Sequence, residues 1–288
     1  MFIRDLTVLD CAVLDPQRGP VGYSYLIDAE VIGGLDHEGV VFDFSHAKKT
    51  IKKVIDDLCD HRLIVLRQDV AHLDDAAAHL DVALGQLGRL QYTCPAQGLC
   101  ILDADAITPA TIAAYLEQKV MEKMPPNVTE IRLTCQPEIF ASEQPIFHYT
   151  HGLKQHYGNC QRLLHGHNNK LDILVDGRKN GELEHRIAQE WQDVHFAFPE
   201  NIRHADLRIG ARQDHITSLT IAYAGNQGRF SATLPGSCVY LLPYETTVEN
   251  ISRHLADKVR GILKSQGRQG TIEVFAYEGI RKGAATRL

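Results

Sequence analysis

Stretches of this chain recur in the same order about 140 residues later, and that repetition limits the possible folds more tightly than composition does. "GRLQYTCP" (88–95) returns as "GRFSATLP" (228–235), keeping Gly, Arg, Thr and Pro. "TPATIAAYLEQKV" (108–120) returns as "TVENISRHLADKV" (247–259), keeping Thr108/Thr247, Ile112/Ile251, Leu116/Leu255, Lys119/Lys258 and Val120/Val259. Nearer the start of each half, Gly22/Gly166, Asp28/Asp172 and Gly33/Gly177 share a single spacing of 144. Common order and near-constant spacing point to a tandem duplication. The boundary falls near residues 137–145, giving copies over residues 1–138 and 139–288.

Each copy has the same coarse grammar. A strand (2–9; 144–150) leads into a second, alternating strand (23–32; 168–175). "SHAKKTIKKVIDDL" (45–58) spaces Ala47, Ile51, Val54, Ile55 and Leu58 as one helix face, with Ser45 as the expected N-cap. "SLTIAYAGNQGRFSATL" turns at Asn226-Gln227-Gly228, a hairpin. Thr108 and Thr247 can cap a second helix in each copy, and 129–135 and 271–277 supply closing strands. The expected class is α+β: two tandem domains, each an antiparallel sheet with two helices on one face.

A formal charge of −6 argues against nucleic-acid binding through a broad basic surface. No apolar run reaches the roughly 20 residues of a membrane span, and the N-terminus lacks a signal-peptide core, so no membrane partner is expected. Seven cysteines scattered without a framework read as reduced thiols of a cytoplasmic protein.

Fifteen histidines are many, and none precedes His37. In "NCQRLLHGHNNKLDILVDG" (159–177), His165 and His167 sit two apart at a strand start. Side chains alternate along a strand, so both can face one ion, with Gly166 leaving room between them. His151, ending the preceding strand, can add a third nitrogen, and three imidazoles with an open position describe a catalytic zinc. The alternative is a set of polar surface histidines. His148 and His156 are expected as solvated loop residues. Cys160 is either an inert buried thiol or, beside a cation, a reactive one.

Together these residues resemble the 6-pyruvoyl-tetrahydropterin synthase family, and its 6-carboxytetrahydropterin synthase branch in particular. The resemblance rests on Phe147-x-x-x-His151 and on Cys160-Gln-Arg-Leu-Leu-His165-Gly166-His167. It extends to "GVVFDFSHAKKTIKKVIDDLCDHRLIV" with Asp43-Phe44 and Asp60-His61, to "TTVENI" (246–251), and to Tyr277-Glu278. It implies a tunnelling fold, in which sheets of several domains close a barrel, and so a homo-oligomer, a dimer or trimer of two-domain chains. By the same resemblance His151, His165 and His167 would hold Zn²⁺, and Cys160 would be the catalytic thiol. Asp60 would orient His61 as proton relay, and Glu278, Thr247 and Glu249 would bind a pterin.

The copies depart from that pattern in opposite places. The first has Val21 and Tyr23 where the second has His165 and His167; the second lacks the "DF…DH" segment, and its Asp193 and His195 are not adjacent. The resemblance thus implies one composite site per chain, acting as a zinc-dependent lyase on 7,8-dihydroneopterin triphosphate. A 6-pyruvoyl-tetrahydropterin synthase, another pterin side-chain lyase and a non-catalytic pterin binder are the alternatives. Lys154, Arg162 and Lys170 are candidates for the triphosphate.

Overall fold

A computed structural model describes residues 1–288. The first copy runs β1 (Phe2–Asp15), β2 (Gly19–Gly33), α1 (Phe44–Leu58), β3 (Leu63–Leu66) and β4 (Val70–Leu73). It continues through β5 (Ala77–Ala83), β6 (Arg89–Pro95), β7 (Leu99–Leu102), α2 (Pro109–Met121) and β8 (Val128–Pro137). The second copy runs β9 (Ile146–His151), β10 (His165–Val175), β11 (Arg178–Lys179), α3 (Gly181–Trp191) and β12 (Val194–Ala197). Then come β13 (Ser218–Gly225), β14 (Gly228–Pro235), β15 (Val239–Leu241), α4 (Val248–Ser265), β16 (Ile272–Tyr277) and β17 (Gly283–Arg287).

The two main sheets repeat one strand order, β7-β3-β1-β2-β8 and β15-β12-β9-β10-β16, to which β17 adds an edge. The α+β class holds, with a refinement. β3 and β7 run parallel to β1, as β12 and β15 do to β9. Parallel neighbours need a long connection: β2 and α1 intervene between β1 and β3, and β4, β5 and β6 intervene between β3 and β7, with β10 to α3 and then β13 and β14 in the second copy. Long-range pairing of this kind leaves no local mark in sequence.

Helix ends follow capping chemistry. Asp43, not Ser45, caps α1, its Oδ1 accepting from the His46 N–H at 2.9 Å. Thr108 caps α2 and Thr247 caps α4, as expected. The apolar faces of α1 and α2 close one core through Ile51, Ile55, Ile112 and Leu116; α3 and α4 close another around Trp191, Ile187 and Leu255. Fully burying each large apolar side chain contributes about 1.5–3 kcal/mol. No helix is long and apolar enough to cross a membrane.

A third sheet, β13-β14-β6-β5-β4, joins the copies. β6 and β14 pair antiparallel with Thr93 opposite Ser231, Tyr92 opposite Ala232 and Gln91 opposite Thr233. Repeated segments thus meet each other across a pseudo-twofold axis, the duplicated-chain equivalent of an isologous dimer contact. A core of residues from both copies, including Tyr92, Leu163, Leu164, Tyr223 and Phe230, fills the seam beneath this sheet. Beside it β2 and β10 touch backbone to backbone. A Cβ added at Gly22 would fall 2.1 Å from the Tyr149 carbonyl oxygen, and one at Gly166 would fall 2.1 Å from the same atom. Only glycine fits at this crossing.

Candidate functional site

β9 and β10 pair so that His165 lies opposite His151, with His167 two residues along the same face of β10. One nitrogen from each of the three lies within 4.8 Å of the others, and the rings of His151 and His165 are 4.4 Å apart. All three histidines are buried. Nδ1 of His151 is 2.8 Å from the Thr246 carbonyl oxygen, and Nδ1 of His165 is 2.7 Å from that of Arg162. A carbonyl only accepts, so each Nδ1 carries the proton and each Nε2 presents a lone pair. Those Nε2 atoms, with that of His167, are buried without a hydrogen-bond partner. Leaving such groups unpaired costs about 1–3 kcal/mol each. Burial, with neighbouring histidines adding to it, holds His151 down to about 3 and His165 well below its usual range, so both are neutral. Three buried imidazoles, each with an Nε2 that has no other partner, fit a divalent metal and leave a position open.

His61 and Cys160 meet at the same place. Donor atoms of His61, Cys160 and His165 lie within 4.8 Å of one another, so His165 belongs to both groups. The rings of His61 and His165 are 5.0 Å apart. Asp60 Oδ2 sits 2.5 Å from Nδ1 of His61. Burial alone would lower the His61 pKa, but the Asp60 carboxylate and the Cys160 thiol outweigh it and raise the value to about 10. The pair follows α1 in a strained turn, with His61 at φ 54° and its N–H donating to the Asp10 carbonyl at 2.7 Å.

The loop bearing Cys160 is clamped from both copies. Tyr92 donates to the Leu163 carbonyl at 2.7 Å and Tyr223 to that of Gln161 at 2.8 Å. Arg162 donates to the Asp60 carbonyl at 3.0 Å and to Gln227 at 3.0 Å. Glu278 reaches the cluster's edge, with Oε1 3.7 Å from Nε2 of His151. Thr247 follows the residue whose carbonyl holds His151 and caps α4. Glu249 is exposed in the first turn of α4, and the fold does not bring it into the cluster.

Other expectations change. His148 is no solvated loop residue: it lies in β9, with Nδ1 2.7 Å from the Gly22 carbonyl oxygen, because β2 packs across it. Of the triphosphate candidates, Arg162 is buried in the clamp and Lys170 pairs with Asp172 at 2.7 Å. Lys154 lines a cavity of about 510 Å³ with Glu200, Asn201 and Arg203. All seven cysteines are free of disulfides.

Sequence reasoning missed Asp10, Ser24 and Lys282. The Asp10 carboxylate is 2 % exposed and lies 3.1 Å from Nδ1 of His167. It accepts from Ser24 at 2.5 Å and from Lys282 at 2.9 Å. Burial pushes its carboxyl up, but His167, Lys282 and Ser24 more than offset that and hold it well below the usual carboxylate range. Glu245 and Thr246, also missed, each bury an oxygen without a partner beside the His151 contact.

Across the pseudo-twofold axis the same backbone carries different chemistry. Asp193 takes the place of His61, at φ 58°, with its N–H on the His148 carbonyl at 2.8 Å. It forms a two-pronged ion pair with Arg18 at 2.6 and 2.7 Å. Tyr23 and His148 stand where His167 and Asp10 stand in the histidine cluster, with ring centroids 4.8 Å apart.

Comparison with known proteins agrees with this duplication. The sequence profile described as 6-pyruvoyl tetrahydropterin synthase matches residues 15–145 and again residues 142–287. Proteins of Pyrococcus horikoshii and Pyrococcus abyssi that carry the provisional name 6-carboxy-5,6,7,8-tetrahydropterin synthase are each 26% identical over 112 residues. Those residues are 39% of this chain, and the chain spans 64% of the length of these curated relatives. A solved Plasmodium vivax 6-pyruvoyltetrahydropterin synthase is 18% identical, covering 49% of this chain and 93% of its own, with a TM-score of 0.38. A likeness that low carries no structural argument. The two profile matches together span nearly the whole sequence, and the chain belongs, as a tandem duplicate, to the 6-pyruvoyl tetrahydropterin synthase family.

Proposed function

We propose that the chain is a zinc-dependent 6-carboxytetrahydropterin synthase with one site per chain, assembled from both copies. Copy one, residues 1–138, supplies Asp60 and His61; copy two, residues 139–288, supplies Cys160 and the histidines. The substrates are 7,8-dihydroneopterin triphosphate and one water, and the products are 6-carboxy-5,6,7,8-tetrahydropterin, acetaldehyde and triphosphate. The observation that carries this reading is the convergence of His61, Cys160 and His165 from opposite sides of the seam.

His151, His165 and His167 would hold the zinc through Nε2. When bound, it would supply a Lewis acid for a substrate side-chain oxygen. Cys160 Sγ would take up and return a proton on the substrate chain. His61 would do the same from the other side, its ring held in one orientation by Asp60. The Glu278 carboxylate would accept two parallel N–H bonds from the pterin edge. Thr247 would line that end of the site from the start of α4, and Glu249 would reach it only if the substrate's polar tail extends along the helix. The name carried by the Pyrococcus relatives favours the carboxy product. The thiols without disulfides support a cytoplasmic setting. The unpaired edges of β8 and β17 support a homo-oligomer.

Incubating zinc-loaded protein with 7,8-dihydroneopterin triphosphate and weighing the product tests the reading. The mass of 6-carboxytetrahydropterin, with acetaldehyde released, is expected. A 6-pyruvoyl product would reassign the reaction, and no turnover of any dihydropterin would overturn the enzyme reading.

A further inference from the structure

The three histidines are not supported alike. His151 and His165 rest their Nδ1 atoms on carbonyl oxygens of their own copy. His167 has no such carbonyl. What faces its Nδ1 is the Asp10 carboxylate of the other copy, 3.1 Å away and off the axis of the ring N–H. Asp10 also ties the relay into place. Its backbone N–H donates to Asp60 Oδ1 at 3.1 Å, and its carbonyl accepts from the His61 N–H at 2.7 Å. Resting on the metal reading above, we propose that Asp10 is a positioning residue for metal binding, holding His167 with its proton on Nδ1 and Nε2 turned to the ion.

Two further observations support this. Three neutral imidazoles bring no charge to a divalent cation, and in a buried site a nearby carboxylate supplies it; a ring N–H held by a carboxylate also makes the histidine a better ligand. The pseudo-twofold axis provides an internal control. The same two backbone positions face each other on the other side, but there the pair is His148 and Tyr23, and no histidine triad exists for a carboxylate to serve. Acid and ligand occur together on one side and are absent together on the other. Lys282, 2.9 Å from Asp10, shares the carboxylate's charge and tempers its pull on His167.

Zinc affinity of the full-length protein, measured by competition with a chromophoric chelator, tests the proposal. Asp10→Asn keeps an acceptor and removes the charge, and Asp10→Ala removes both. Affinity is expected to fall about 10-fold in the first and about 100-fold in the second. The visible bands of the cobalt-loaded variants should move as well, which a loss of stability alone would not cause. Asp10→Glu should recover part of the affinity. Should the Asn and Ala variants not fold, Lys282→Met carries the test: it leaves the whole charge to His167, and zinc should bind about threefold tighter or more. Affinity and cobalt spectrum unchanged in the Asp10 variants, or affinity unchanged in Lys282→Met, overturns the proposal. A parent chain that binds no zinc would instead sink the metal reading itself.

Discussion

At the scale of single residues, the division between legible and hidden follows sequence distance. His165 and His167 declare a shared direction because strand side chains alternate, and the antiparallel hairpin then fixes His151 opposite them. Asp10 has no local signature. It is one acid in an otherwise apolar strand stretch, and its partner lies in the other copy. Asp60-His61 could be singled out only through the family resemblance, because a histidine after a helix is common for other reasons. If Cys160 moves protons, Cys160→Ala should lower turnover by at least about 100-fold while zinc content by elemental analysis stays at the parent level. Parent-like turnover in that variant would remove the thiol from the chemistry.

Among elements, helices were the easiest to place, because periodicity and caps are local signals. Even so, the cap of α1 moved from Ser45 to Asp43, the residue whose carboxylate reaches back over the first turn. Parallel β3, β7, β12 and β15 were invisible for the opposite reason, since each pairs with a strand separated from it in sequence by other elements. The crossing of β2 over β10 yields a steric expectation. Gly22→Ala should cost about 1–3 kcal/mol or more, read as a lowered midpoint of denaturant unfolding, because the new methyl meets backbone rather than a flexible side chain. An unshifted midpoint would mean the strands do not cross this closely.

Helix α4 carries a pH dependence of its own, at His254. His254 packs on Trp191, with Nε2 3.0 Å from the Tyr240 hydroxyl. Burial, aided by the Lys258 cation, lowers its pKa from 6.5 to about 4. Between those values the unfolded chain takes a proton that the folded one refuses. Its contribution to stability is therefore complete above pH 6.5 and is lost as pH falls toward 4, by about 3 kcal/mol. His254→Phe should flatten the fall in unfolding free energy over that range relative to the parent, and identical slopes would contradict this account of the site.

For the molecule as a whole, duplication has made a pseudo-symmetric dimer in one chain, and the two sides of its axis have diverged. One side gathers histidines, a thiol and an Asp-His pair; the other closes with the Arg18–Asp193 ion pair and an aromatic contact. That opposition was legible in outline, because each copy lacks residues the other keeps. Which residues would face each other was not, since it depends on how β6 joins β14. Arg18→Met should lower stability by about 1 kcal/mol or less, because the pair is partly exposed, and should leave zinc content unchanged. A loss of zinc in that variant would mean the two sides are not independent.

The claim that one reaction centre is shared across the seam is tested most directly by His61→Ala, a change in the copy that holds none of the metal-binding histidines. Zinc content and turnover of 7,8-dihydroneopterin triphosphate should be measured on that variant and the parent together. The expected result is about one zinc per chain in both, with turnover at least about 100-fold lower in the variant. Turnover equal to the parent's would show that the first copy contributes nothing to the chemistry and would contradict the shared site.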